Sequence, residues 1–393
     1  MASAITHIPA PAAARPTAPP GLYTGEVVYI FAFDVAYEMA RTPLTSLLGQ
    51  PVAQFAVDAS KRNPRQLFFY RAQMVRLPPL ERIGPHGPMR VERSVKLLPV
   101  GAISITMRVG FAVEKIEDLV EYHDLVFSTG ETLYHEVVTL AEEVRKELAP
   151  VLLRPVAQLA NDEAYTVFCV NAPLPAPAAP EGTRVSAEAW MGVHRREIAS
   201  VLTQEYDVAH LSDQEAVEST GKYLSYYDHD LVVVDWDAAL IVDDPKNFDE
   251  TLYLMELANL QLAELEAYDN ILDDVTERAY RDLARRQPLW GYSAPVQQSL
   301  REIRIDLARL SDELQNITKF FGDWHLARLY QTISDRFHLS DWHRTIDEKL
   351  KTLDDLYQLL SADRNTRMMM ILEVTIVLLF VIDVVMLFRG GAH

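Results

Sequence analysis

The sequence predicts an α+β fold: an N-terminal mixed α/β domain, then a long antiparallel helical stalk and one C-terminal transmembrane helix. Three observations carry this. Up to about residue 243, apolar runs with a period of two alternate with segments whose apolar residues recur every three or four positions. After Asp243-Asp244-Pro245 the strand pattern stops and only helical periodicity remains. From Met368 to Phe388, only Glu373, Thr375 and Asp383 are not apolar. At the helical rise that stretch covers about 31 Å, enough to cross a hydrocarbon core.

Residues 1–20 are Ala/Pro-rich and are expected to be a disordered tail. The α+β domain occupies 21–244. Gly25–Phe33 and Gln66–Leu77 are apolar candidate strands. Arg90–Val100 and Ala102–Phe111 form a hairpin around Pro99-Val100-Gly101. In its second arm Ile103, Ile105, Met107 and Val109 alternate with Ser104, Thr106 and Arg108. Between 115 and 151 the period changes, giving two helices broken at Ser128-Thr129-Gly130. Ala164–Asn171 is a buried strand and 173–184 a Pro/Ala-rich loop. Ser186–Tyr206 reads as one helix capped by Ser186. Asp230–Val242 reads as one or two strands.

The stalk occupies 245–367. Phe248–Arg286 is one long helix ended by Pro288 and Gly291. Val296, Leu300, Ile303, Leu307, Leu310, Leu314, Ile317 and Phe321 then follow at alternating spacings of four and three. That is a heptad seam, filled either by a second copy or by the helix 248–286. A short helix spans 324–336. Ser340 caps a last helix, with Trp342, Ile346, Leu350, Leu353, Tyr357 and Leu360 on its apolar face. No Gly or Pro lies between Leu339 and Arg389, so this helix runs unbroken into the transmembrane helix 368–388, with 389–393 as a short tail.

The C-terminal part also resembles a known family. Phe320, Phe321, Trp324, Leu329 and Tyr330 match one of its helical signatures. Arg344, Asp347, Leu350, Leu353, Asp355 and Leu356 match a second, and Leu372, Glu373, Asp383 and Val384 match its terminal anchor. Over roughly 245–390 the chain resembles the required-for-meiotic-nuclear-division family, also called Sad-interacting-factor-like proteins. Asp347 stands where that family usually has Asn, and Asp383 where it usually has Glu. The resemblance implies a membrane-anchored protein that tethers or organises a partner, with no established catalysis.

Composition narrows the function. A net charge of −19 disfavours a general polyanion binder. The single cysteine, Cys169, cannot form an internal disulfide, which fits a reducing compartment. The N-terminus lacks a hydrophobic run suited to a secretory signal. Lys349, Lys351, Arg364 and Arg367 precede the apolar stretch and only Arg389 follows it, so the positive-inside rule places the body in the cytoplasm. The expectation is a single-pass, tail-anchored protein of a bacterial inner membrane, or of the mitochondrial inner membrane in a eukaryote.

Within the apolar stretch, Glu373 and Asp383 are candidate membrane-helix contacts, because an ionisable group in hydrocarbon usually faces protein or water. Snorkelling to the interface is the plainer account of them. The segment 61–96 is a candidate anion patch. Lys61, Arg62, Arg65, Arg71, Arg76, Arg82, Arg90, Arg93 and Lys96 stand against only Glu81 and Glu92, a local charge of +7. A solvated face paired with acidic helices is the plainer account there. Phosphate-cradling, dinucleotide-binding and nucleophile-elbow motifs are missing, so no cofactor, metal or catalysis is expected. The favoured reading is a self-associating membrane scaffold or tether, meeting further copies of itself or another membrane protein. An RNA or ribosome tether acting through 61–96 comes second, and an enzyme with an unrecognised site in the α+β domain third.

Overall fold

The computed structural model describes residues 22–40, 44–54, 73–98, 101–155, 159, 162–174, 186–284, 305 and 324–390. The chain starts with β1 (Tyr23–Asp34), β2 (Ala36–Met39) and the two-residue strands β3 (Ser46–Leu47), β4 (Gln50–Pro51) and β5 (Ala53–Gln54). A meander of β6 (Gln73–Gly84), β7 (Gly87–Leu97) and β8 (Ala102–Val113) follows. A 3-10 helix at Ile116–Tyr122 leads to α1 (Leu133–Leu148), then β9 (Leu152–Pro155) and β10 (Asp162–Asn171). Three short helices, α2 (Ala187–Val193), α3 (Arg195–Thr203) and α4 (Asp213–Ser219), precede β11 (Tyr223–Leu224), β12 (Leu231–Val234) and β13 (Ala238–Asp243). The described helices that remain are α5 (Phe248–Ala284), α6 (Trp324–Arg336) and α7 (Leu339–Gly390).

Among the described residues, nine strands form one sheet in the order β11-β12-β13-β10-β1-β8-β7-β6-β5. Its pairs are antiparallel except β10–β13, which is parallel. The central strand β1 is buried on both faces. Val27, Tyr29, Phe31 and Phe33 enter one core, and Val28, Ile30 and Ala32 enter the other. The first core is closed by the 3-10 helix and by α1 to α3, through Leu119, Val137, Leu140, Trp190 and Val201. The second is closed by α5, α6 and the start of α7, through Leu252, Met255, Leu329, Ile333 and Ile346. A double-faced sheet explains why β1 and β10 read as continuous apolar runs.

A buried polar set fixes α5 to its face of the sheet. Glu256 accepts from Ser104 Oγ at 2.6 Å and pairs with Lys96. Nearby, Arg108 bridges Glu26 at 3.4 Å and Asp249 at 2.7 Å. The turn between β7 and β8 needs Gly101, whose φ of 96° is open to glycine at little cost. Its carbonyl accepts from Val35 and Ala36, both at 3.0 Å.

Several expectations change. The strand read as Gln66–Leu77 is β6, which runs on through Pro78-Pro79 to Gly84, while 66–72 lie outside the described residues. A register shift between Leu77 and Leu80 absorbs the two prolines, which have no N–H to give the ladder. The segment before Ser128 forms a 3-10 helix and not an α-helix. Ser186 caps as expected, accepting from Ala189 N at 3.1 Å, but the helix breaks at His194 into α2 and α3. Asp230–Val242 resolves into two strands, turned at Asp235–Asp237. Ser340 lies inside the first turn of α7 and does not cap it. The seam from Val296 to Phe321 lies outside the described residues.

Candidate membrane-contact site

The site is α7, and the sequence builds it from a rigid root. Arg336 closes α6 and donates through Nε to Asp235 Oδ1 at 3.0 Å, with a second pair to Glu218 at 3.2 Å. Burial acts to lower the Arg336 pKa, but the two carboxylates outweigh it and hold the guanidinium above its ordinary value. Phe337 then packs edge-on against Tyr165, with ring centroids 5.0 Å apart. The Tyr165 hydroxyl donates to the carbonyls of Asp235 and Ala238, both at 3.0 Å. His338 takes the left-handed conformation, φ 51°, and stacks on Trp236 at 5.3 Å. The chain therefore turns sharply between α6 and α7 while clasped to the β12–β13 hairpin. Sequence reading missed this clasp, because its members are about 100 positions apart and follow no motif.

From the root, α7 runs beside α5. Ile346, Leu350 and Leu353 share a core with Leu265, Leu272 and Ala279, and Lys349 bridges Asp269 at 2.7 Å and Asp273 at 2.6 Å. On α5, Leu265, Tyr268, Leu272, Val275 and Ala279 fall at spacings of three and four, as a helix seam requires. Contacts along the two helices also give their direction. Asn259 donates to the carbonyl of Glu163 at 2.9 Å, near the sheet end where α7 begins. Asp269 and Asp273 then meet Lys349, so both helices lead away from the sheet the same way. The antiparallel stalk expected from the sequence turns on the segment 296–321, which lies outside the described residues, and α5 and α7 are its outer members.

Beyond this contact α7 continues as one helix, as its lack of Gly and Pro implied. Met368–Met386 is apolar and long enough to cross a membrane, and none of it is buried among the described residues. Phe380 is 69% exposed and Met369 73%. Such a continuous apolar surface, open on every side, calls for cover. Thr375 satisfies its own hydroxyl by donating to Ile371 O at 2.7 Å. Glu373 and Asp383 are exposed and have no partner within the described residues. Ten positions apart, they differ by about 80° around the helix and about 15 Å along it. An ionisable side chain costs on the order of 3 kcal/mol at the centre of a membrane helix and less toward its ends, and each acid lies about five positions from the middle, so this face asks for a polar or charged neighbour, or for snorkelling.

The basic segment is divided by the sheet. Lys61, Arg62, Arg65 and Arg71 lie outside the described residues. Strand alternation puts Arg76, Arg90 and Lys96 on the face that carries α5, and Arg82 and Arg93 on the opposite face. Arg82 pairs with Glu136 of α1, and Arg93 donates to the Pro78 carbonyl at 2.8 Å. Lys96 is held by Glu256, and Arg90 lies 4.0 Å from Glu92. The described members do not converge on one anion site.

Comparison with known proteins gives the relationship. A family profile described as "Uncharacterized protein MJ0711, N-terminal domain" matches residues 24–249, which hold the sheet, except Tyr23 at its start, and α1 to α4. "Uncharacterized protein MJ0711" of Methanocaldococcus jannaschii is 21% identical over 346 residues, covering 87% of this chain and 98% of that protein. This likeness extends past the family profile into the helical segments. No solved structure matches the chain. The matched domain and the resemblance over 245–390 overlap only at 245–249, the turn into α5 and its first two residues. By residues 24–249, more than half of its length, the chain belongs to the family of the MJ0711 N-terminal domain.

Proposed function

We propose that the protein is a non-catalytic scaffold or tether, anchored in a membrane by the C-terminal part of α7. One observation carries this reading. A helix rooted in the sheet domain by Arg336, Phe337 and His338 goes on to expose a spanning length of apolar side chains on every side. The resemblance to the required-for-meiotic-nuclear-division family over 245–390 supports the same role. The basic residues Lys349, Lys351, Arg364 and Arg367 support a body on the cytoplasmic side of a cell membrane. Self-association through the 296–321 seam belongs to this proposal, with crosslinking in detergent as its check. Monomers alone would remove that part. The division of the described arginines between two sheet faces weighs against the RNA-tether reading.

Vesicle flotation tests the anchor. Full-length protein is expected to float with lipid vesicles and to resist extraction by carbonate. The same chain ended at Arg367 is expected to stay at the bottom of the gradient. Equal behaviour of the two proteins would contradict the anchor.

A further inference from the structure

We propose that the Glu373/Asp383 face of α7 docks a membrane helix of another protein, one that carries Lys or Arg side chains at two matching depths. The inference rests on the membrane-anchor reading and names the partner chemistry of that anchor. The two carboxylates stand at separate levels about 15 Å apart, so they are two contacts along one helix. Between and around them the face consists of Met369, Leu372, Ile376, Val377, Phe380 and Val384. There is no Gly, Ala or Ser in that set, so the backbone of a neighbouring helix cannot come close in the manner of small-residue dimers.

A second copy fits this face poorly. Copies anchored from the same side run parallel, and a symmetric pair puts Glu373 opposite Glu373 and Asp383 opposite Asp383. Like charges then meet in a medium that screens them little. A helix with two basic side chains cancels both charges. Lys and Arg are also long enough to reach across the separation of about 8–10 Å that bulky side chains impose between helix axes. Charge complementarity therefore selects a basic membrane helix.

The test uses the full-length chain in zwitterionic vesicles, labelled at a cysteine introduced on α7. The buried Cys169 does not compete for label. The probe is a designed single-span helix with two lysines ten positions apart, with a leucine version as control, and the readout is energy transfer. Capture of the lysine helix is expected to be roughly tenfold tighter than that of the leucine helix. The difference is expected to vanish in the Glu373→Gln, Asp383→Asn double variant, whose flotation should be unchanged. Equal capture of both probes would overturn the inference. So would energy transfer between two labelled full-length copies that depends on both carboxylates. Protein that does not float with the vesicles defeats the anchor reading itself. Protein that floats yet ignores the lysine helix defeats only the docking inference.

Discussion

Glu256 shows how single residues hold the body together. Its carboxylate is nearly buried between α5 and the sheet, and it satisfies both Lys96 and Ser104. Glu256→Ala removes the carboxylate that pairs with the Lys96 ammonium and accepts from Ser104 and is expected to cost about 3 kcal/mol, read as a lower denaturation midpoint. Lys96→Met together with Glu256→Leu is expected to recover most of that loss. A Glu256→Ala protein as stable as the parent would show that the pair is not buried in solution. Asp34 gives a pH signature. Burial raises its carboxyl from 3.8 to about 6, against a hydrogen bond from the Ala36 backbone. Between those two values the folded chain keeps a proton that the unfolded chain has released. Stability contributed by this site is therefore present at low pH and lost as pH rises to about 6. Asp34→Asn removes a penalty of about 2–3 kcal/mol above that window, so it should raise the melting temperature near pH 7.5 and change little near pH 4. Neither role was legible in the sequence, where Lys96 was one of nine basic residues and Asp34 only the end of an apolar run.

The clasp at the root of α7 is a property of elements. The hairpin β12–β13 supplies Asp235 and Trp236, and the α6–α7 corner supplies Arg336 and His338. Arg336→Ala strands the buried Asp235 carboxylate, so amide exchange in Leu339–Trp342 is expected to speed up while exchange in β1 and β10 stays slow. Uniform acceleration through the sheet would mean that the root is part of the global core. The long elements were legible because their periods are strong. This holds for β1, β8, β10, α5 and the unbroken α7. The weak ones were not. The strands β3, β4, β5 and β11 have two residues each, too few to show a period. The prolines at 78 and 79 hid the middle of β6, because a bulge carries the strand past them.

At the scale of the molecule, one helix joins a nine-stranded sheet domain to an apolar segment. The 29 residues from Leu339 to Arg367 separate the root from that segment, or about 43 Å of helix. The candidate site was legible in part. Composition alone marked the apolar stretch and its two acids, while only the structure showed that the stretch is open on every side and rigidly rooted. The basic patch was misleading because sequence proximity says nothing about which face of a sheet a side chain takes. Depth measurement along α7 tests the central claim most directly. Single spin labels are placed in turn at positions 355 to 386 of full-length protein in vesicles, and access to oxygen is compared with access to a water-soluble quencher. The account predicts water access before Arg367, then a rise in oxygen access to a maximum near Val377, about the middle of the span, and a fall toward Met386. Water access that stays high from Met368 to Met386, with no such maximum, would contradict it.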